Sequence, residues 1–165
     1  MLKKVNKSER QKQEGGSFAI VASRYNALYV DAMVHAAKAE LEKAGAKVWI
    51  VRVPGAFEIP AVAARLAAKS AVRSTLKTQG ARLAGILCFG VVFQGETSHA
   101  RHISWGVTHS LAQIQVQYKI PVVHGVFQFD KEKHAKVRCL GTKHNRGTEA
   151  AQTALQMAAV MRQIR

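Results

Sequence analysis

The chain has 165 residues, with 25 Lys+Arg against 10 Asp+Glu and a formal net charge of +15. This length suits one domain, and a hydrophobic fraction of 48% is enough for a packed core, which excludes wholesale disorder. No apolar run approaches the roughly 18 residues of a membrane helix, and the two cysteines, Cys88 and Cys139, stand in no zinc or redox spacing.

Met1–Gly16 is polar and holds five Lys/Arg and two Glu, without the apolar stretch of a signal peptide. It reads as a flexible basic arm, leaving residues 17–165 as the folded domain. Phe18–Ser23 is a short apolar run suited to a buried strand. Val30, Val34, Ala37, Leu41 and Ala44 keep helical spacing over Ala27–Ala44, with Gly45 as the stop. Asn26, just before that helix, reads as its N-cap. Lys47–Val53 is a second strand, ended by Pro54-Gly55. Ile59 to about Gln79 is helical, and Arg65, Lys69, Arg73 and Lys77 make a basic stripe on it. Leu83–Phe93 is the most apolar run and reads as a central strand; Cys88 within it is core. Gln94–His99 is a polar turn, and Ile103, Val107, Leu111, Ile114 and Tyr118 define a third helix. Ile120–Phe127 is a fourth strand, and Thr148–Ile164 a last helix.

This alternation predicts a parallel sheet with helices on both faces. Ligands of such sheets bind beyond the C-terminal strand ends, which directs attention to Arg24–Asn26, Pro54–Glu58, Gln94–His99 and Phe127–Asp130. Tyr25 offers either a flat face for a ring or a rim contact. Glu58 either serves the start of its helix or accepts hydrogen bonds from a polyol. Gly95-Glu96-Thr97-Ser98-His99 opens a helix, so its backbone N–H groups and hydroxyls suit an anion such as phosphate. His99 stands where it could move protons near neutral pH. No dinucleotide fingerprint and no phosphate-loop glycine–lysine motif occurs.

Arg24-Tyr25-Asn26, Pro54-Gly55-Ala56-Phe57-Glu58-Ile59-Pro60, Gly95-Glu96-Thr97-Ser98-His99 and Gly141-Thr142-Lys143 with Asn145-Arg146-Gly147 follow one another in the order of the lumazine synthase family. The chain resembles that family from about Phe18 to its C-terminus. The resemblance implies a flavodoxin-like three-layer α/β/α sandwich on a four-stranded parallel sheet. It implies condensation of 5-amino-6-(D-ribitylamino)uracil with 3,4-dihydroxy-2-butanone 4-phosphate, without cofactor or metal, releasing phosphate and water. This is the penultimate step of riboflavin biosynthesis. It also implies homopentamers with sites between neighbouring subunits. Because the Arg138–Gly147 connection carries no insertion, closure into a 60-subunit icosahedral shell is expected.

Carried over by position, Tyr25 stacks on the pyrimidine, and Ala56, Phe57 and Glu58 meet the ribityl chain and ring. Val92 and Phe93 present backbone to the uracil edge, and His124 lies near the pyrimidine from the adjacent subunit. Gly95, Glu96 and Thr97 form the phosphate turn, and His99 is the proton-transfer group. Arg138, from the neighbour, reaches the phosphate, Arg146 occupies the position of a basic residue near the same pocket, and Lys143 matches the family's Gly-Thr-Lys motif. The chain departs from the pattern at Ala100 and Arg101, where an aromatic and an acid are usual, and at His124, where an apolar or aromatic residue is usual. Gly-Thr before Lys143 is displaced by one residue. The competing readings are a nucleic-acid-binding α/β protein, raised by the charge, and a shell-forming homologue without catalysis. The expected location is the cytoplasm of a microbe or an organelle.

Overall fold

The computed structural model describes residues 15–76 and 82–164; most of the basic arm (1–14) and Lys77 of the stripe lie outside them. The order is β1 (Ser17–Ser23), α1 (Ala27–Lys43), β2 (Lys47–Val53), a tight helical turn (Ala56–Glu58), α2 (Ile59–Leu76), β3 (Leu83–Phe93) and α3 (His99–Tyr118). Then come β4 (Val122–Phe129), a one-turn α4 (Glu132–Ala135), a π-helical turn (Lys136–Leu140) and α5 (Arg146–Gln163).

The strands form one sheet in the order β2-β1-β3-β4, and every pairing is parallel. Side chains alternate across it, because successive Cβ atoms of a strand point to opposite faces. Phe18, Ile20 and Ala22 of β1 and Leu87, Phe89 and Val91 of β3 face α1 and α5. Ala19 and Val21, with Ile86 and Cys88, face α2 and α3. Both faces of the two central strands are therefore covered, as their unbroken apolar runs require. The alternation's expectation of a parallel sheet with helices on both faces is met, and the result is the flavodoxin-like three-layer α/β/α sandwich that the family resemblance implies.

Helix α3 begins at His99, where the Gly95–His99 turn is expected to open a helix. Two boundaries differ from the sequence expectation. Strand β4 begins after Pro121 and runs on to Phe129, because Gln128 and Phe129 pair with Val92 and Phe93 of β3. Helix α5 starts at Arg146, where the Asn145 side chain accepts from the Gly147 N–H at 2.8 Å. The Glu132–Leu140 segment is an addition that no periodicity announces.

Asn26 occupies the N-cap position of α1 as expected, but its side chain makes no capping bond, and its backbone is left-handed at φ 56°. The amide Nδ2 instead donates to the Val91 carbonyl, 2.7 Å away and 65 residues along the chain. Asn tolerates this backbone region better than most residues, and here it also ties the end of β1 to β3. Gly45 meets the expectation, with φ 77° just past α1.

Candidate active site

The order β2-β1-β3-β4 places the sheet's switch point between β1 and β3, where connections leave toward opposite faces. The turns after β1, β2 and β3 gather there. The Arg24 N–H donates to the Val53 carbonyl at 2.9 Å, and the Tyr25 N–H to the Pro54 carbonyl at 3.2 Å, so the first two turns are stitched together by backbone.

Tyr25 is 72% exposed, so its ring does not pack into the fold as a rim contact would. Its edge lies over Gly55: a Cβ added there would stand 3.3 Å from Tyr25 Cδ2 and 2.8 Å from Glu58 Oε2. Glycine is what allows this close approach. The Gly55 N–H donates to Glu58 Oε2 at 2.8 Å, so one carboxylate oxygen shapes the turn and the other stays available. Glu58 thus serves its helix start, one of its two expected roles, without surrendering the second. Ala56 is buried, whereas Phe57 is 63% exposed and approaches Gly106 of α3. Val92 and Phe93 end β3, partly exposed.

The Gly95–His99 turn is exposed throughout. It is organised by Gln94, which sequence reasoning passed over as part of a polar turn. Its Nε2 donates to the carbonyls of Gly95 (2.7 Å) and Thr97 (2.8 Å), and its Oε1 accepts from Gln128 Nε2 (2.8 Å). The Gln94 N–H also donates to the Phe129 carbonyl at 3.0 Å, anchoring the turn to β4. The only sequence signal was a glutamine directly after an apolar strand. The N–H groups at the start of α3 have no partners within the helix. The His99 N–H donates to Thr97 Oγ1 at 3.4 Å, and no acid stands in the first turn of α3. The turn therefore has the donors and the dipole sign for an anion.

An aromatic series continues from this rim. Tyr29 meets Phe93 edge-on (5.6 Å between centroids), Phe93 meets Phe129 (6.4 Å), and Phe129 meets Phe127 (6.2 Å). The Arg146 guanidinium lies 5.8 Å above Phe127 and pairs with Glu149. Arg146 is thus held at the strand-end side of the fold with part of its charge already answered.

The chain does not bring every expected group to this rim. His124 lies five residues before the end of β4, about 16 Å back along the strand at about 3.3 Å per residue. Its Nε2 is 2.8 Å from Thr108 Oγ1 of α3, and burial pushes its pKa down. Arg138 is exposed on the π-helical turn, beside Cys139, which is buried among α1 and α5 residues. His99 begins a helix on the other side of the sheet. Lys143 is exposed in the loop before α5. Among the described residues, Arg138 and Lys143 make no ion pair with an acidic side chain. Neither thiol is a candidate nucleophile: burial raises the Cys88 pKa and pushes that of Cys139 up to about 11.

Residues 15–162 match the family model described as 6,7-dimethyl-8-ribityllumazine synthase. The chain belongs to this family. Curated relatives carrying the same name include one from Stenotrophomonas maltophilia (strain R551-3), 36% identical over 92% of both chains. Another, from Xanthomonas campestris pv. campestris (strain B100), is 35% identical over 87% of this chain and 88% of the relative. A third, from Xylella fastidiosa (strain M12), is 35% identical over 91% of this chain and 92% of the relative. As a lumazine synthase family member, the chain is a transferase of riboflavin biosynthesis. Its reaction is the condensation of the ribitylaminouracil with the butanone phosphate. This membership does not favour a nucleic-acid-binding protein or a non-catalytic shell in place of the enzyme. No described helix is long and apolar enough to cross a membrane.

Proposed function

We propose that the condensation takes place at the rim formed by the turns after β1, β2 and β3, in a pocket completed by a second copy of the chain. The observation that carries this reading is the Tyr25–Gly55–Glu58 contact on one side of the switch point with the exposed Gly95–His99 turn on the other. A flat ring and a free carboxylate oxygen suit the pyrimidine and its polyol, and the start of α3 suits a phosphate.

Tyr25 stacks on the uracil, Ala56, Phe57 and Glu58 hold the ribityl chain, and the backbone of Val92 and Phe93 meets the uracil edge. The N–H groups over Gly95, Glu96 and Thr97 bind the phosphate. Gly95 supports this assignment: a Cβ there would meet nothing within 4 Å, and its φ is not left-handed. The fold therefore gives no reason for a bare backbone at Gly95, whereas a ligand approaching it does.

The amine of the uracil attacks the ketone carbon, and loss of water leaves an imine. Elimination then releases phosphate, and the second amine closes the ring as a second water leaves. Holding the two substrates in register supplies the orientation these steps need. His99 accepts and returns the protons and forms no covalent bond to substrate. Such assistance is worth about 10²–10⁴ in rate. Arg138 offers a planar pair of donors to the phosphate as it binds and departs. Arg146, near the same end, adds positive potential.

The set-back of His124 along β4, and the place of Arg138 after β4 on the α1/α5 side while His99 opens a helix on the other side, support a shared site. A neighbouring copy can present both to a rim they do not reach in their own chain. We place them in the adjacent subunit of a pentamer, extended to a 60-subunit shell by the uninterrupted Arg138–Gly147 connection, in the cytoplasm. Sedimentation distinguishes the pentamer from the shell.

Fluorescence of the lumazine formed from both purified substrates tests the activity. His99→Ala is expected to lower kcat, and Arg138→Ala to raise KM for the butanone phosphate. Co-assembly of these two variants in equal amounts should regenerate about a quarter of the intact pockets, since each pocket draws on two chains in a cyclic ring. Full turnover by His99→Ala refutes its role. No recovery on co-assembly refutes the shared pocket.

A further inference from the structure

The chain's acidic residues are unevenly placed along the sequence. No Asp or Glu occurs between Glu58 and Glu96, or between Glu96 and Asp130. Those two stretches contain all of α2 and α3, so one whole helical layer carries no acid. Among the described residues, the ion pairs are Lys38–Glu42, Arg52–Asp31, Lys136–Glu132 and Arg146–Glu149, and none involves α2 or α3.

On α2, Arg65 and Lys69 are exposed and one turn apart, while Ile59, Ala63, Ala67 and Ser70 are buried on the opposite side. Ser70 Oγ accepts from the Leu83 N–H at 3.0 Å, which fixes the end of this stripe beside Arg82, also exposed. None of these cations takes part in the proposed pocket, which lies at the opposite end of β3 from Arg82 and Leu83.

We propose that the outer face of α2, carrying Arg65 and Lys69 with Arg82 at its foot, binds the phosphate backbone of nucleic acid without reading its sequence. Arg65 and Lys69 are about 6 Å apart along the helix at about 1.5 Å rise per residue. Every second phosphate of one DNA strand advances by a similar distance, about 6.8 Å. No aromatic side chain stands in the stretch Ile59–Leu76, so there is no platform for bases, and recognition is by charge alone. The same composition disfavours a lipid surface. An interfacial helix buries large apolar groups in the bilayer, and the large apolar residue at the start of α2, Ile59, is buried in this core. An oligomer would repeat the stripe and multiply a weak single contact.

The test is anisotropy of a labelled 30-base-pair DNA duplex with the full chain, titrated at 50 and 200 mM NaCl. Phosphatidylserine vesicles form a parallel arm. Binding to the duplex is expected, weakening steeply with salt. In the double variant Arg65→Gln/Lys69→Gln the slope of log affinity against log salt should flatten by about 1.8, at about 0.9 per lost phosphate contact. The fourfold salt increase then costs the unmodified chain about 12-fold more affinity than the variant. Lumazine formation by the variant should be unchanged, which shows that it is folded. Absence of duplex binding at 50 mM, or an unaltered slope in the variant, overturns the proposal. So does binding to vesicles but not duplex. Abolition of binding by deletion of residues 1–14, with the α2 variant unaffected, transfers it to the arm and overturns it equally.

Discussion

Replacing Asn26 separates two contributions that meet in one residue. Its side chain donates to the Val91 carbonyl at 2.7 Å, and its backbone is held at φ 56°. Asn26→Ala loses the bond, worth about 1 kcal/mol, and places a Cβ residue without Asn's tolerance in the left-handed region, at a further 1–2 kcal/mol or so. The expected loss is about 2–3 kcal/mol. Asn26→Gly loses the same bond but relieves the backbone, at an entropic cost of about 0.5 kcal/mol, so its loss should be near 1.5 kcal/mol, roughly 1 less than for alanine. Urea unfolding at one fixed protomer concentration measures both, since association adds to apparent stability. Because Tyr25 adjoins Asn26, KM for the ribitylaminouracil should rise in both variants. Equal destabilisation by glycine and alanine would show that the backbone is not strained there. A loss below about 0.5 kcal/mol in both would show that the bond to Val91 does not contribute to the fold.

Gly95→Ala meets no neighbour and no left-handed backbone, so stability should hold or rise by about 0.4–1 kcal/mol while KM for the butanone phosphate rises; thermal unfolding and steady-state kinetics on one preparation check both. Gln94→Ala frees the carbonyls of Gly95 and Thr97 and should likewise raise that KM, with little change in KM for the uracil. The Tyr29 hydroxyl donates to Glu132 Oε1 at 2.6 Å, and this bond, then burial and the Glu132 charge, push its pKa up to about 12. A raised folded pKa contributes stability that is present below about pH 10 and lost as pH rises toward 12. Glu132, held low chiefly by the same bond and then by Lys136, contributes stability that is lost as pH falls through its depressed pKa. Urea midpoints across pH should show Tyr29→Phe flattening the alkaline loss and weakening the acid one.

The regular elements were legible because their apolar periods are local. Phe18–Ser23, Lys47–Val53 and Leu83–Phe93 stand within a residue of their strands, since polar or turn-forming residues directly after each run mark its end. Strand β4 slipped by two residues because its end is set by pairing with Val92 and Phe93, which no local pattern encodes. The Glu132–Leu140 segment was missed because its π-helical turn breaks the 3.6-residue period that marks a helix. The rim shows the same division. Tyr25, Gly55, Glu58 and His99 lie in short turns at strand ends, where topology alone directs attention. The bonds that brace those turns, Asn26 to Val91 and Gln94 to Gln128, cross 65 and 34 residues and exist only once the sheet has formed.

Gly147 opens α5 directly against the Met33 backbone of α1, where an added Cβ would collide. On α1, Met33, Val34, Ala37 and Leu41 are covered in the same core as Ala150, Ala151, Ala154 and Leu155 of α5. The two helices are separated by more than a hundred residues of chain. A ribosome making this protein thus exposes the apolar stripe of α1 more than a hundred residues before it supplies the cover from α5. During synthesis that stripe has to be shielded by water-excluding collapse or by a chaperone. A chain released before α5 emerges would present a sticky surface instead of an unfinished enzyme, so termination ahead of Arg146 is expected to yield aggregate rather than a slow catalyst.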